Sequence, residues 1–127
     1  MSEQNKAVSR VAFEVWNTGQ LERLDVFVAP DVVHHDRYDP HGADGLQGMK
    51  QAIMRNRERF ADLVIAIDDQ LAEGDKVASR WTATMTREGK QVTLSGVTID
   101  RFANGKIVEA WRTIDMLALL QQLGSHR

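Results

Sequence analysis

Beyond Asp62 the apolar residues stop recurring at helical spacing and begin to alternate. "LVIAIDDQLA", "KVASRWTATMT", "QVTLSGVTIDRF" and "KIVEAWRTID" are β-rich runs joined by "EGD", "REGK" and "ANG", the lengths of hairpin turns. Strands that pair in sequence order form a meander with one face to bury, and helices must cover that face. The residues before Asp62 supply them. Val8, Val11, Ala12, Val15 and Trp16 form one stripe of a first helix that Thr18-Gly19 ends. Leu21, Leu24, Phe27 and Val28 mark a short second helix stopped by Pro30. Leu46, Met49, Ile53 and Phe60 mark a third, with Lys50, Arg55 and Arg59 on its outer side. Between the last two, "DVVHHD" reads as a brief strand and "RYDPHGADG" as a loop. The expectation is an α+β fold in one domain over residues 1–127, with three N-terminal helices on the concave side of a curved, antiparallel-rich sheet.

Asn104-Gly105 sets a register. As a type I′ turn it pairs Ala103 with Lys106, and every later pair follows. One face then carries Leu94, Gly96, Thr98, Asp100 and Phe102 against Ile107, Glu109, Trp111, Thr113 and Asp115. The other carries Ser95, Val97, Ile99 and Arg101 against Val108, Ala110, Arg112 and Ile114. The Asp100/Glu109 end is expected to meet solvent, and the Leu94/Asp115 end to be enclosed.

Asp115 sits between Ile114 and Met116-Leu117, where packing residues are expected. Walled by Leu94 and Trp111, it would lose solvation, its pKa would rise, and it would suit proton transfer near neutral pH. Asp is also a favoured N-cap, here for "MLALLQQLG". The roles are compatible, but an Asp115 found on the surface doing no more than capping would end the enzymatic reading.

Other residues weigh less. The His and Asp residues of "HHDRYDPHGAD" invite a metal, yet His34 and His35 point to opposite faces of a strand and no HxH or HxxxH spacing occurs, so no metal is assigned. One His of this strand could serve as a second proton-transfer group. Trp16, Trp81 and Trp111, with Phe13, Met54 and Met85, could line a cavity for a flat hydrophobic ligand or simply be core. Arg55, Arg57 and Arg59 read as a solvated helix face.

Cysteine is absent, which removes disulfides and thiolate chemistry, and a net charge of −2 gives no reason to expect nucleic acid. The polar start "MSEQNKAVSR" and the lack of a long apolar run point to a soluble cytoplasmic protein without a membrane partner. No P-loop, GxGxxG, GxSxG or HExxH pattern occurs. The uncovered sheet face, with Val97, Ile99, Val108, Ala110 and Ile114, predicts a homodimer.

The stretches "FVAPDVVHHD", "GLQGMKQAI", "LVIAIDDQLAEGDKVASRWTATMT" and "VTIDRFANGKIVEAWRTIDMLALLQQLG" together resemble the SnoaL-like polyketide cyclase family of the nuclear transport factor 2-like superfamily. The resemblance runs from about Val8 to Gly124. It implies a cone-shaped fold around a hydrophobic pocket, chemistry without a cofactor, and a small hydrophobic or aromatic ligand. By the same resemblance Asp115 matches the general acid/base of an intramolecular aldol closure, and His35 the His-Asp pair at the pocket mouth. Trp16, Trp81, Met85, Trp111 and Thr98 would line the substrate site. One departure stands out: "TMTREGKQ" replaces the Gly-Thr-His stretch and longer connection frequent in the family.

Three functions compete. The first is proton transfer beside a carbonyl, with aldol cyclisation as its fullest form. The second is epoxide hydrolysis by an Asp-Arg-Asp set, which the register disfavours unless a β-bulge shifts its parity. The third is a non-catalytic small-molecule binding protein.

Overall fold

The computed structural model describes residues 2–36 and 45–124, so the expected loop "RYDPHGADG", apart from its last glycine, lies outside the described residues. Helix α1 (Ser2–Thr18) is followed by a 3-10 turn (Leu21–Arg23), a single-turn α2 (Leu24–Phe27) and strand β1 (Val28–Asp36). Helix α3 (Gly45–Arg59) precedes strands β2 (Val64–Glu73), β3 (Lys76–Arg87), β4 (Lys90–Ala103) and β5 (Lys106–Ile114), and α4 (Met116–Leu123) closes the described chain. The sheet order is β1-β5-β4-β3-β2, with β1 parallel to β5 and the rest antiparallel. Together these elements make the α+β fold that the change of periodicity implies. Pro30 falls inside β1 rather than ending a helix. An edge strand tolerates it because its missing N–H need not serve a neighbour.

Two apolar clusters lie on one side of the sheet. Val15, Leu24, Val28, Val32, Ile53, Val77, Phe102 and Ile107 form one, uniting α1, α2 and α3 with the sheet. Trp81, Met85, Val92, Leu63 and Ala83 form the other, closed by Leu119 and Leu123 of α4. Each fully buried aliphatic side chain here contributes about 1.5–3 kcal/mol of transfer free energy.

Polar contacts fix how the helices dock. Asn17 uses its side-chain amide like a short strand, donating to the Ile65 carbonyl at 2.8 Å and accepting from the Ile65 amide at 2.7 Å, which satisfies part of the open edge of β2. Arg57 donates to the carbonyls of Trp16 and Asn17, both at 2.8 Å, and so ties α3 to the end of α1. Arg57 is therefore not part of a solvated face, as its place in the Arg55–Arg59 run suggests.

The Asn104-Gly105 turn forms as expected, with φ of 53° and 77°, and Ala103 pairs with Lys106. The register then slips. Phe102 pairs with Ile107, but Arg101 pairs with Glu109, which leaves Val108 as a β-bulge. Every later residue of β5 changes face relative to the sequence-derived register. Ala110, Arg112 and Ile114 oppose Asp100, Thr98 and Gly96, while Trp111 opposes Ile99 and Thr113 opposes Val97. Ala110 and Ile114 thus leave the face expected to dimerise, and Trp111 joins it.

Gly96 lies where Trp81 crosses to the neighbouring strand. A Cβ at residue 96 would stand 2.5 Å from the Trp81 ring and 2.5 Å from the Thr113 carbonyl. Gly96→Ala is expected to cost about 1–3 kcal/mol through overpacking and to alter Trp81 fluorescence. Chemical denaturation that finds the variant as stable as the parent would refute this account of the position.

Candidate active site

The bulge decides which side chains enter the space between helices and sheet. A cavity of about 110 Å³ is bordered by Phe13, Trp16, Met49 and Trp81 on its apolar side. Thr98, Asp100, Arg112, His34 and Asp36 supply its polar lining. A second cavity of about 230 Å³ adjoins it, with Trp16, Ile65, Trp81 and Arg112 common to both walls. Neither alone reaches the roughly 300 Å³ at which drug-sized ligand sites begin, whereas the two together do.

Asp100 is the acid inside. It is 5% exposed and accepts a hydrogen bond from the Ser9 hydroxyl at 2.8 Å. Burial pushes its pKa up to about 6, against the smaller opposing pull of that hydroxyl. The solvent-facing place expected for Asp100 is therefore corrected. The slip at Val108 sets it opposite buried Ala110 instead of Glu109, and α1 covers it.

Arg112 brings a cation to the same cavity. Its Nε donates to Asp36 Oδ2 at 2.8 Å, its Nη2 donates to the same oxygen, and its guanidinium lies 6.0 Å from the Trp16 ring centre. The parallel pairing of Asp36 with Arg112 places the two side by side. His34, two residues earlier on the same face, has a buried Nε2 without a hydrogen-bond partner among the described residues. Burial holds its pKa below the ordinary histidine value, reinforced by the Arg112 charge and opposed by Asp36. Trp81 Nε1 donates to Thr98 Oγ1 at 3.0 Å, which locks one aromatic wall.

The expected site residues divide accordingly. Trp16, Trp81 and Thr98 border the first cavity, and Met85 borders the second. Asp115 borders neither: it is exposed, and its carboxylate accepts from the Ala118 amide at 3.1 Å as the N-cap of α4. The expectation of an enclosed Asp115 is corrected, and the enzymatic reading drawn from the sequence falls with it; an acid/base reading needs another carboxylate. Trp111 also leaves the cavity wall for the opposite sheet face.

His35 touches the first cavity, but its ring is stacked on Trp111 at 5.3 Å and its Nε2 lies 2.7 Å from Glu109 Oε2. Strand alternation aims His34 inward and His35 outward, so the proton-transfer candidate on β1 is His34. Glu109 is held below the ordinary carboxylate range by the His35 ring and then by Arg101. Sequence reasoning missed Asp100 and Arg112 as site residues, chose His35 over His34, and had Asp36 only as the partner in the His-Asp pair. The signal that could have found Asp100 is the polar pair Asn5 and Ser9 on the buried stripe of α1, which calls for a polar partner across the core.

The α+β domain thus encloses cavities with apolar walls and a few converging polar groups. Comparison with known proteins identifies its family. The model of the SnoaL-like polyketide cyclase family matches residues 6–123, and the chain belongs to that family. Among solved structures, a candidate polyketide cyclase from Bacillus cereus is 29% identical at a TM-score of 0.85, covering 95% of this chain and 80% of its own. IdmH from Streptomyces antibioticus, also a candidate polyketide cyclase, is 28% identical at 0.82, covering 95% and 99%. AclR from Streptomyces galilaeus, a candidate hydroxylase, is 29% identical at 0.83, covering 98% of each chain. No curated protein matches the sequence. Among the described residues no helix is long and apolar enough to cross a membrane.

The Asp100 pKa fixes the sign of a stability change. With a folded value near 6 against 3.8 unfolded, the folded state holds the proton more tightly. That stabilisation is fully present below about pH 4 and is lost as pH rises through 6, about 3 kcal/mol in all. Asp100→Asn is expected to remove this component, so thermal unfolding between pH 4 and 8 should show the variant gaining on the parent as pH rises. A constant difference across that range would show that Asp100 titrates normally.

Proposed function

We propose that this chain is a cofactor-independent acid/base enzyme acting on a small hydrophobic carbonyl compound, with intramolecular aldol cyclisation as the fullest form of the reaction. The observation that carries the reading is the buried Asp100 in an aromatic-walled cavity that also contains the Asp36-anchored Arg112. Ionised Asp100 takes a proton from an acidic methylene, and Arg112 stabilises the enolate oxygen. The enolate carbon attacks a second carbonyl of the same molecule, forming a C–C bond, and the resulting alkoxide receives the proton back from Asp100. The unpartnered Nε2 of His34 offers a hydrogen-bonding position for that oxygen or an alternative proton carrier. The walls formed by Trp16 and Trp81 hold the chain folded, so positioning supplies part of the rate.

Proton abstraction can be tested without the natural substrate, by following deuterium incorporation at the central methylene of benzoylacetone in D₂O by NMR. The parent protein is expected to accelerate exchange over buffer, with a rate that climbs as Asp100 ionises near pH 6. Asp100→Asn should lower the protein-dependent rate by roughly 10²-fold or more, and Asp115→Asn should leave it unchanged. Binding of the diketone without accelerated exchange would instead favour the non-catalytic binding protein.

A second reading gains a specific ground. Asp36, Arg112 and Asp100 line one cavity because of the bulge, the Asp-Arg-Asp combination suited to epoxide hydrolysis. Hydrolysis of styrene oxide, with no exchange of benzoylacetone, would select it.

A homodimer through the outer sheet face belongs to the same proposal. With the register corrected, the face carries Val97, Ile99 and Trp111 beside Val33 and Val64, of which Val33 and Val64 are about half exposed. A second copy is the occupant assigned to this patch: Arg80 pairs with Asp68 and Arg101 with Glu109 within the chain, so both signs of charge lie along the face for a twofold-related copy to meet. Sedimentation at micromolar concentration is expected to give a dimer that Val97→Glu converts to monomer; a monomeric parent would exclude the interface.

A further inference from the structure

The second cavity is apolar in its depth and cationic at its border. Leu63, Met85, Val92 and Leu119 fill the wall, and Arg59, Arg87 and Arg112 complete it, with no carboxylate among the described lining residues. Arg112 is already matched by Asp36. Arg59 lays its guanidinium 5.5 Å from the Phe60 ring centre, and Arg87 ends β3 opposite another cation, Lys90. Asp62, on the adjoining turn, is engaged elsewhere: its oxygens accept from the Thr86 amide at 3.0 Å and the Thr86 hydroxyl at 2.6 Å. Glu58 and Glu88 are exposed and border neither cavity. In a chain of net charge −2, a cavity whose charged lining among the described residues is all cationic departs from the average surface.

We infer that the second cavity receives the anionic end of the substrate: a small hydrophobic acid whose body fills the cavity and whose carboxylate meets Arg59 and Arg87. Guanidinium is the side chain best matched to carboxylate, and the apolar depth beneath excludes water from the rest of the ligand. The inference rests on the proton-transfer reading for what happens at the ligand's other end. Because the two cavities share Trp16, Ile65, Trp81 and Arg112, a molecule spanning them sets its carboxylate at one end and its reacting carbonyl at Asp100. The substrate class is then an oxo-acid with a free carboxylate, rather than its ester or a neutral ketone.

Isothermal titration with 2-naphthoate and with methyl 2-naphthoate separates these classes. The parent protein is expected to bind the acid at least about tenfold more tightly than the ester. The double substitution Arg59→Met with Arg87→Met should weaken the acid to the level of the ester without weakening the ester, since Met keeps an unbranched side chain at both lining positions and removes only the charge. Equal binding of acid and ester by the parent would overturn the inference, as would a preference that survives the double substitution. The outcome is independent of the exchange experiment. A preference for the acid without benzoylacetone exchange would leave the anion site standing and remove the catalytic reading; exchange without the preference would do the reverse.

Discussion

Side chains alternate along a strand, so one unpaired residue in β5 exchanges the contents of two faces. Val108 is that residue. Downstream of it, Ala110, Arg112 and Ile114 turn to the helices, and Glu109, Trp111 and Thr113 turn away. Without the bulge the cavity would hold a tryptophan and a glutamate on β5, and Arg112 would be a surface cation unable to meet Asp36 over the Trp16 ring. Parallel pairing then carries the choice to β1, where His34 and Asp36 share the inner face because they oppose Ala110 and Arg112. Arg112 owes its place in the site to this slip, whereas Asp100 and Thr98 hold theirs through β4.

The polar groups so gathered are unequal. Arg112 and Asp36 neutralise one another, and the aromatic ring beneath the guanidinium further offsets its loss of water. Among the described residues Asp100 has the Ser9 hydroxyl alone, too little to offset the desolvation of a carboxylate, so its pKa rises toward neutrality. One acid is tied to its cation; the other is available to exchange a proton at mild pH. That division sets a carboxylate of raised pKa beside a fixed positive charge in one cavity.

Much of the fold follows from visible signals: the stripe of α1, the Gly-containing turns and the change to alternation at Asp62 each have local causes. The bulge has none, since Val108 looks like any strand residue and its misfit arises only from pairing with β4. Extending the register from a correctly identified turn therefore gave the right pairing at Ala103 and Phe102 and the wrong face for Trp111 and Asp115. His34 and His35 are equally indistinct in sequence, because their separation depends on which neighbours β1 acquires. The buried Asn5 and Ser9 were readable as an anomaly, but their partner could be identified only once α1 was placed across β4.

Asp115 shows how a fixed acid can serve the site without entering it. Its carboxylate caps the first turn of α4, and its backbone amide donates to the Ser95 carbonyl at 3.0 Å, so the helix leaves the sheet in one direction. That direction brings Leu119 and Leu123 against Trp81, Met85 and Val92, which form the apolar end of the second cavity. Gln122 strengthens the attachment by donating to the Thr93 carbonyl at 2.6 Å and accepting from the Thr93 amide at 2.8 Å. A helix of eight residues has little stability of its own, so cap and clamp together hold the wall in place. A capping side chain at this position thus serves the geometry of the cavity's far end.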